Sequence, residues 1–560
     1  MSIVPKTLWK RLVTPHVKHT LWLVAGIGFV VNILLLTSPL YMLQLYDRVL
    51  TSRSGETLLS LSVIALFLLI SYGLLEVMRA KIMISVSTEV DTNINQELFN
   101  NIFREAVLRH SPGSQAIRDL EMVRNVVSGH SLLVLMDLPW SPLFIGLIFI
   151  MHPLLGTVAL VGAIATVILA LISQRLSNPM VQEASQQQIK ASRFVDSCLR
   201  NVDAIHAMGM TNHIRGRWLS NYAKSVDTSA HTAAKISSFS GTSKAMRIIL
   251  QSTILGAGAW LVLQDEVTSG VMVAASIIFG RAISPLEQSI AASKSLLAAR
   301  LALHRIDALL NRHADNTPPM PLPIPSGKLQ IKDLALVPPG ANKPILQGVS
   351  FSLEQGEVLA IVGASASGKS SLARAIVGLW QPAQGKIKLD NAELSQWDPI
   401  TLGQYIGFLP QDVELLTGSI KENIARFGEV NPDAVLEAAS RSACHDMILG
   451  LNDGYDTVMD ENNSALSAGQ CQRVALARCF YNNPSLVVLD EPDSNLDIEG
   501  VVALDKAISE MKSLKITTIL ITHNIRLLRH ADKAMLLANG GVAYLGTPKE
   551  LVDKLSQRGA

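Results

Sequence analysis

The stretch Gly363-Ala364-Ser365-Ala366-Ser367-Gly368-Lys369-Ser370-Ser371 carries two glycines, then a lysine and a hydroxyl residue, at the spacing of a phosphate-binding loop. Val358-Leu359-Ala360-Ile361-Val362 leads into it as an apolar, strand-like run, and Leu372-Ala373-Arg374-Ala375-Ile376-Val377 leads out in helical fashion. Strand, glycine-rich turn and helix is the context the pattern requires. Backbone amides then turn onto phosphate oxygens, and the helix presents its positive end to them. Lys369 is expected to reach the terminal phosphates and the Ser370 hydroxyl to bind Mg²⁺. The stretch predicts an ATP or GTP site at the end of a strand.

Further along, Leu486-Val487-Val488-Leu489-Asp490-Glu491 is an apolar strand ending in two carboxylates. This suits Asp490 to Mg²⁺ and Glu491 to an attacking water. Gln411, in Pro410-Gln411-Asp412, falls between the two phosphate motifs, where a mobile loop brings its amide to the metal and the water. His523 follows the run 517–522 and is placed to hold the terminal phosphate. The expected catalytic set is Glu491, His523 and Gln411, and the expected Mg²⁺ ligands are Ser370, Gln411 and Asp490. From residue 328 onward strand-like and helix-like runs alternate, as in an α/β nucleotide-binding core.

The rest of the chain is of another kind. Its 560 residues are 49% hydrophobic and 17% charged, with a mean hydropathy of +0.31, too apolar for a soluble protein of this size. The excess lies in the first 300 residues. Six apolar runs there (21–45, 58–77, 132–151, 154–172, 246–263 and 271–290) each come near the roughly 20 residues that cross a bilayer core. Basic residues gather before the first run, in the polar stretches 79–130 and 174–243, and after the last run, whereas Gln264-Asp265-Glu266 has none. The positive-inside rule then puts both termini in the cytoplasm. The two polar stretches are low in Gly and Pro and predict helical extensions of the spans.

Lys6, Lys10, Arg11 and Lys18 precede an apolar run too long for a signal peptide, so the first span is expected to be retained. Asp137, Arg281 and Glu287 fall in or beside spans, where charge is costly. They are expected either to serve a transport pathway or to cap a span at its cytoplasmic edge. Pro318, Pro319, Pro321, Pro323 and Pro325 mark a stiff linker. The expected organisation is a cytoplasmic segment 1–20, a six-span domain 21–310, a linker 311–326 and a nucleotide-binding domain 327–560. A net charge of +2 and the lack of a basic, aromatic-interleaved face argue against nucleic acid. Cys198, Cys444, Cys471 and Cys479 show no C-x-x-C spacing and no clustered His, so neither a zinc site nor a redox motif is supported.

Leu466-Ser467-Ala468-Gly469-Gln470 resembles the ABC-transporter signature, usually Leu-Ser-Gly-Gly-Gln. Six spans ahead of one nucleotide domain resemble an ABC exporter half-transporter over essentially the whole chain. The resemblance implies that the signature of one subunit closes over ATP held on the phosphate loop of the other, hence a homodimer. Ser494-Asn495-Leu496-Asp497 is similar to the D-loop that links the two sites. Tyr46-Asp47-Arg48 with its apolar neighbours, Asp137-Leu138-Pro139-Trp140 and Gly280-Arg281-Ala282 resemble the type I secretion permease/ATPases that export proteases, lipases and haem-binding proteins. That branch implies ATP-driven export of an unfolded or partly folded protein with a C-terminal signal. The implied route runs from a bacterial inner membrane through a periplasmic adaptor (membrane fusion) protein and an outer-membrane channel. The protein would be multi-pass, with its nucleotide domain cytoplasmic.

The stretch ahead of the first span is too short for the peptidase domain of bacteriocin exporters, so leader cleavage is not expected. Departures from the family pattern are Ala468, Cys471 after the signature, Asp460-Glu461-Asn462-Asn463 where glycines are usual, and Pro338 where an aromatic residue usually stacks on adenine. Ala468 adds only a methyl group and Asn tolerates left-handed backbone, so function is expected to survive. Two other readings share this ATP site: an exporter of lipid or small amphiphiles, and a non-hydrolysing regulatory subunit. The branch motifs argue against the first, and intact Glu491, Gln411 and His523 against the second. The fold expected is an all-α six-span transmembrane domain followed by an α/β P-loop nucleotide-binding domain.

Overall fold

The structure, a computed structural model, describes residues 8, 11–109, 114–199, 201–311, 322–460, 465–494 and 496–558. Backbone contacts divide the chain into two units, Met1–Phe103 with Pro112–Ala314, and Arg104–Ser111 with Asp315–Ala560. Lys6, Lys10, most of the proline-rich linker, Glu461 to Asn463 and Asn495 lie outside the described residues.

In the first unit six helices among the described residues are long and apolar enough to cross a bilayer. They are Pro15–Ser52, Gly55–Val107, Ser131–Met151, Pro153–Leu199, Thr211–Leu263 and Ser269–Asn311, numbered here as spans 1 to 6. About 20 residues already cover ~30 Å, so spans 2, 4, 5 and 6 run well past a bilayer. Leu59, Phe67 and Ile70 in the apolar part of span 2 are exposed, as a lipid-facing surface requires. The bundle closes on Phe144, Ile148, Leu155, Ala159, Ile254 and Phe279. Gly162 lets spans 4, 5 and 6 approach, since a Cβ there would sit 2.8 Å from Leu250 and 3.1 Å from Phe279.

Buried charge is used to join spans. Arg79 is 1% exposed and donates through Nη2 and Nη1 to the two carboxylate oxygens of Asp137, at 2.8 and 3.2 Å. Asn32 Nδ2 donates to the same carboxylate at 3.3 Å, which draws in span 1. A Cβ on Gly28 would meet the guanidinium at 3.6 Å, so the glycine makes room for it. Glu287 of span 6 accepts from Arg247 Nε of span 5 at 2.9 Å. Asp137 and Glu287 thus sit in ion pairs between helices, the arrangement that offsets the cost of charge at that depth. Arg281 is exposed.

The Tyr46-Asp47-Arg48 stretch forms a π-helical turn, Leu45–Val49. There Asp47 accepts from Thr268 Oγ1 at 2.7 Å and Gly270 N at 2.9 Å, capping the start of span 6. A side chain on Gly270 would meet Asp47 Oδ1 at 2.5 Å. His152 Nε2 lies 3.2 Å from Glu266, tying the turn between spans 3 and 4 to the one between spans 5 and 6. At the chain start, Leu8, Leu12 and Val17 are buried against Val86, Ile94 and Leu98 of span 2. Apolar residues in a segment otherwise notable for its bases are what dock it.

Among the described residues the second unit holds twelve strands: β1 (Leu329–Leu336), β2 (Leu346–Leu353), β3 (Val358–Val362), β4 (Gln384–Leu389), β5 (Ala392–Glu393), β6 (Ile406–Leu409), β7 (Gly418–Ser419), β8 (Val458–Met459), β9 (Leu486–Asp490), β10 (Thr517–Ile521), β11 (Lys533–Ala538) and β12 (Gly541–Gly546). The main sheet has the order β12-β11-β3-β10-β9-β6. Its strands β11, β3, β10, β9 and β6 are parallel, with β12 antiparallel at the edge. Every residue of β9 and β10 is buried, the pattern of parallel strands covered on both faces; β9 accordingly is apolar up to Asp490, and β10 buries Thr517 and Thr518 ahead of Ile519-Leu520-Ile521. One core packs Leu372, Ile376, Trp380 and Trp397 on this sheet; the other packs Val474, Phe480, Leu504 and Ile508. The fold class expected from the sequence is the one observed.

Candidate active site

Four adjacent parallel strands deliver the site. β3 runs into the loop 363–368, β10 into Thr522 and His523, β9 ends on Asp490, and β6 is followed by Gln411. Ile521 lies opposite Asp490 and Ile361 in the register, so these strand ends finish level. This is the carboxyl edge, where parallel α/β sheets bind ligands.

The phosphate loop keeps its shape through backbone that only certain residues supply. Gly368 has φ +101° and Ala366 φ +63°, and a Cβ on Gly363 would lie 2.3 Å from the Leu537 carbonyl oxygen. The helix Lys369–Ile376 follows directly, carrying Ser370 and Ser371 in its first turn. Lys369 is 5% exposed and donates from Nζ to the Gly363 and Ala364 carbonyls at 2.8 and 3.1 Å. Burial lowers its pKa, while Glu491 and Asp490 act to raise it. The ammonium bends back onto the loop's own carbonyls, and Ser367 N closes the loop on the Ala364 carbonyl at 3.2 Å.

Asp490 is 3% exposed. Burial foremost holds its pKa above the usual carboxylate value, a hydrogen bond with Ser370 opposes this, and Glu491 adds to it. Its Oδ1 is buried without a hydrogen-bond partner. A buried carboxylate oxygen with no partner, beside a serine hydroxyl and a second carboxylate, is a donor set of hard oxygens that fits Mg²⁺.

The three residues expected to be catalytic meet at Glu491. Gln411 Nε2 donates to its Oε2 at 2.9 Å, and His523 Nε2 lies 3.1 Å from its Oε1. Glu491 has φ +50°, a left-handed conformation that a non-glycine residue adopts only under constraint. Its backbone N–H supplies part of that constraint, donating to the Ile521 carbonyl at 2.9 Å.

The signature residues stand apart from the loop: among the described residues no hydrogen bond joins 466–470 to 363–371. The helix there is Ala468–Phe480, starting earlier than an apolar run from Val474 suggests. Ser467 caps it in a capping box, in which Ser467 accepts from Gln470 N and Gln470 Oε1 accepts from Ser467 N at 2.8 Å. The Ser-x-x-Gln spacing already carried that signal. Leu466 and Cys471 are buried in the core, and burial raises the Cys471 thiol pKa. In the D-loop stretch Ser494 is exposed, Leu496 packs on the same core and Asp497 caps the helix Ile498–Ser513 through Gly500 N at 2.7 Å. Pro338 lies just past β1 in a turn closed by Ala341 N on the Pro338 carbonyl at 3.0 Å.

Sequence reasoning missed two sets of supports. Thr522 Oγ1 donates to Asp493 at 3.1 Å, tying the residue before His523 to the segment after Glu491. Asn423, fully buried, donates to Leu416 O at 2.8 Å and Ser419 O at 3.1 Å, and accepts from Leu416 N at 2.9 Å. Arg478 of the signature helix then donates to Asn423 Oδ1 at 2.8 Å. These bonds brace the loop that follows Gln411 against the signature helix. Only the capping box at Ser419 and Glu422 left a trace of this in the sequence.

Comparisons with known proteins agree with this geometry. Residues 21–286 match the ABC transporter transmembrane region and residues 346–494 the ABC transporter family. The type I secretion system ATP-binding protein PrsD of Rhizobium meliloti (strain 1021) is 38% identical over 94% of this chain and 91% of its own. The alpha-hemolysin translocation ATP-binding protein HlyB of Escherichia coli O157:H7 is 26% identical over 94% of this chain and 75% of its own. The leukotoxin export ATP-binding protein LtxB of Aggregatibacter actinomycetemcomitans gives the same identity over the same shares. A solved bacterial Atm1-family ABC exporter with ATP bound shares the fold, with a TM-score of 0.84, 20% identity and 96% of each chain covered. The chain therefore belongs to the ABC transporters, as a transmembrane region and an ATP-binding domain in one polypeptide, alongside the type I secretion system ATP-binding proteins.

Proposed function

We propose that this protein is the permease and ATPase of a type I secretion system. It would use ATP to export an unfolded or partly folded protein bearing a C-terminal signal, working as a homodimer in a bacterial inner membrane. A periplasmic adaptor and an outer-membrane channel would complete the route. Residues 1–20 and the nucleotide-binding domain, 327–560, are cytoplasmic in this reading, the six-span domain is 21–310, and 311–326 is the linker.

Residues 363–371 bind the phosphates of ATP: the amides after Gly363 and at the start of the helix face them, and Lys369 leaves the loop carbonyls to meet the terminal charges. Ser370, Asp490 and Gln411 would hold Mg²⁺, and Gln411 has its Oε1 to offer while Nε2 stays on Glu491. When bound, Mg²⁺ neutralises phosphate charge and draws electron density from the phosphoryl group under attack. Glu491 orients the water and accepts its proton, and His523 moves its Nε2–H from Glu491 to the terminal phosphate. Residues 466–470 of the partner close the site from the opposite side, and 494–497 link the two sites. The observation that carries this reading is Glu491 held between Gln411 and His523 in a chain 38% identical to PrsD.

Glu491→Gln tests the chemistry. The amide keeps the shape and cannot take a proton, so kcat for ATP should fall by about 10²–10⁴-fold while ATP binding, read by a fluorescent analogue, persists. Unaltered steady-state turnover would remove Glu491 from the role of base.

A further inference from the structure

Two cavities on spans 3, 4 and 6 share Leu138, Val167 and Leu286 and so form one continuous groove. The larger part, about 550 Å³, is lined by side chains such as Ile145, Phe149, Ile164 and Ile168. The smaller, about 280 Å³, ends among Gln174, Asn178, Ser293 and Arg300. Arg300 is the only charged side chain on either lining, and among the described residues it makes no ion pair. Ser293 Oγ is buried there without a hydrogen-bond partner.

Depth matches this change of character. At about 1.5 Å per residue, Gln174 lies about 32 Å below the start of span 4, and Ser293 about 36 Å below the start of span 6. A hydrocarbon core is about 30 Å thick, so both stand at the inner interface. Arg300 starts about 46 Å down. Side chains on a helix lean toward its N-terminus, here back toward the bilayer, and a long guanidinium stem snorkels to the headgroups. The apolar part of the groove is at acyl-chain depth and its cationic, hydrogen-bonding end is at phosphate depth.

We infer that this groove binds an anionic phospholipid of the cytoplasmic leaflet, with an acyl chain along Ile145, Ile164 and Val167 and its headgroup phosphate on Arg300, Ser293 and Gln174. The inference rests on the orientation proposed above and is independent of what is exported. A zwitterionic lipid offers Arg300 a phosphate already paired with its own cation, so the site selects net negative charge.

The full chain, purified from nanodiscs of phosphatidylcholine mixed equally with phosphatidylglycerol, is examined by native mass spectrometry for retained lipid. Phosphatidylglycerol should be retained over phosphatidylcholine by about fivefold, the ratio one basic side chain at the headgroups confers. Arg300→Gln should remove that preference, whereas Lys190→Gln, the same change of charge away from the groove, should keep it. Ala170→Phe, which fills the groove, should lower retention of both lipids. Basal ATPase in phosphatidylcholine alone should be the same in all variants. Equal retention of the two lipids by the unaltered chain would overturn the inference, as would an Arg300→Gln preference equal to that of Lys190→Gln. So would efficient disulfide formation between two copies of Val167→Cys, which would show the partner subunit filling the groove. None of these readouts depends on export, so they are separable from a failure of the secretion reading.

Discussion

Asp490 gives the site a pH dependence whose sign follows from its burial. Its folded pKa is raised, so the nucleotide-free domain keeps a proton that the unfolded chain has released. Stability is therefore lost as pH rises from the ordinary carboxylate pKa through the raised one. Asp490→Asn should make the nucleotide-free protein melt higher at neutral pH and flatten that acidic dependence, while losing the stabilisation that Mg²⁺ with ATP gives the unaltered protein. Thermal melts across pH 4–8, with and without Mg²⁺-ATP, would show this; an Asn variant that melts lower at neutral pH contradicts it. Pro338 supplies a second residue-scale expectation. With no aromatic ring in the Val337-Pro338-Pro339-Gly340 turn, stacking worth roughly 1–3 kcal/mol is lost, and most contacts left are to phosphates that ATP and GTP share. kcat/KM for GTP should fall within about tenfold of that for ATP, and Pro338→Tyr should widen the gap. A hundredfold ATP preference in the unaltered protein would mean another group reads adenine.

A few polar pairs join the spans in addition to their apolar packing. Removing one partner of the buried Arg79–Asp137 pair, as in Arg79→Ala, leaves a carboxylate uncompensated. It should cost about 3–5 kcal/mol, whereas Arg79→Met with Asp137→Met should recover most of the loss. Thermal unfolding in detergent distinguishes the two, and equal destabilisation by the single and double variants would show that the pair does more than join spans. Such pairs mark where legibility ended. The spans, the strands leading to 363 and 490, and the residues around Glu491 were readable because period, length and ordered motifs each depend on local sequence. The partner of Asp137 was not, because Arg79 stands far away in sequence, at the start of a stretch that reads as polar surface. Asp47 was visible only as part of a resemblance, and its role as a cap for span 6 needed the π-turn that aims it. Asn423 was silent for the same reason: a buried amide bracing two loops has no periodic signature.

At the scale of the whole molecule, a six-span domain and an ATP-binding domain share one polypeptide, and the proposed task of the pair is to move a polypeptide. The alternative of exporting lipid or small amphiphiles uses the same strands, loop and carboxylates, so ATPase kinetics alone do not separate the two. The cargo does. The most direct measurement places the chain, a periplasmic adaptor of the secretion type and an outer-membrane channel in one cell, and follows a passenger fused to the last ~50 residues of a secreted substrate. The passenger should reach the medium uncleaved, and Glu491→Gln in this chain should hold it inside, as loss of the catalytic base predicts. A passenger retained in the cells when all three components are present, or one released equally well by the Glu491→Gln variant, would contradict the account.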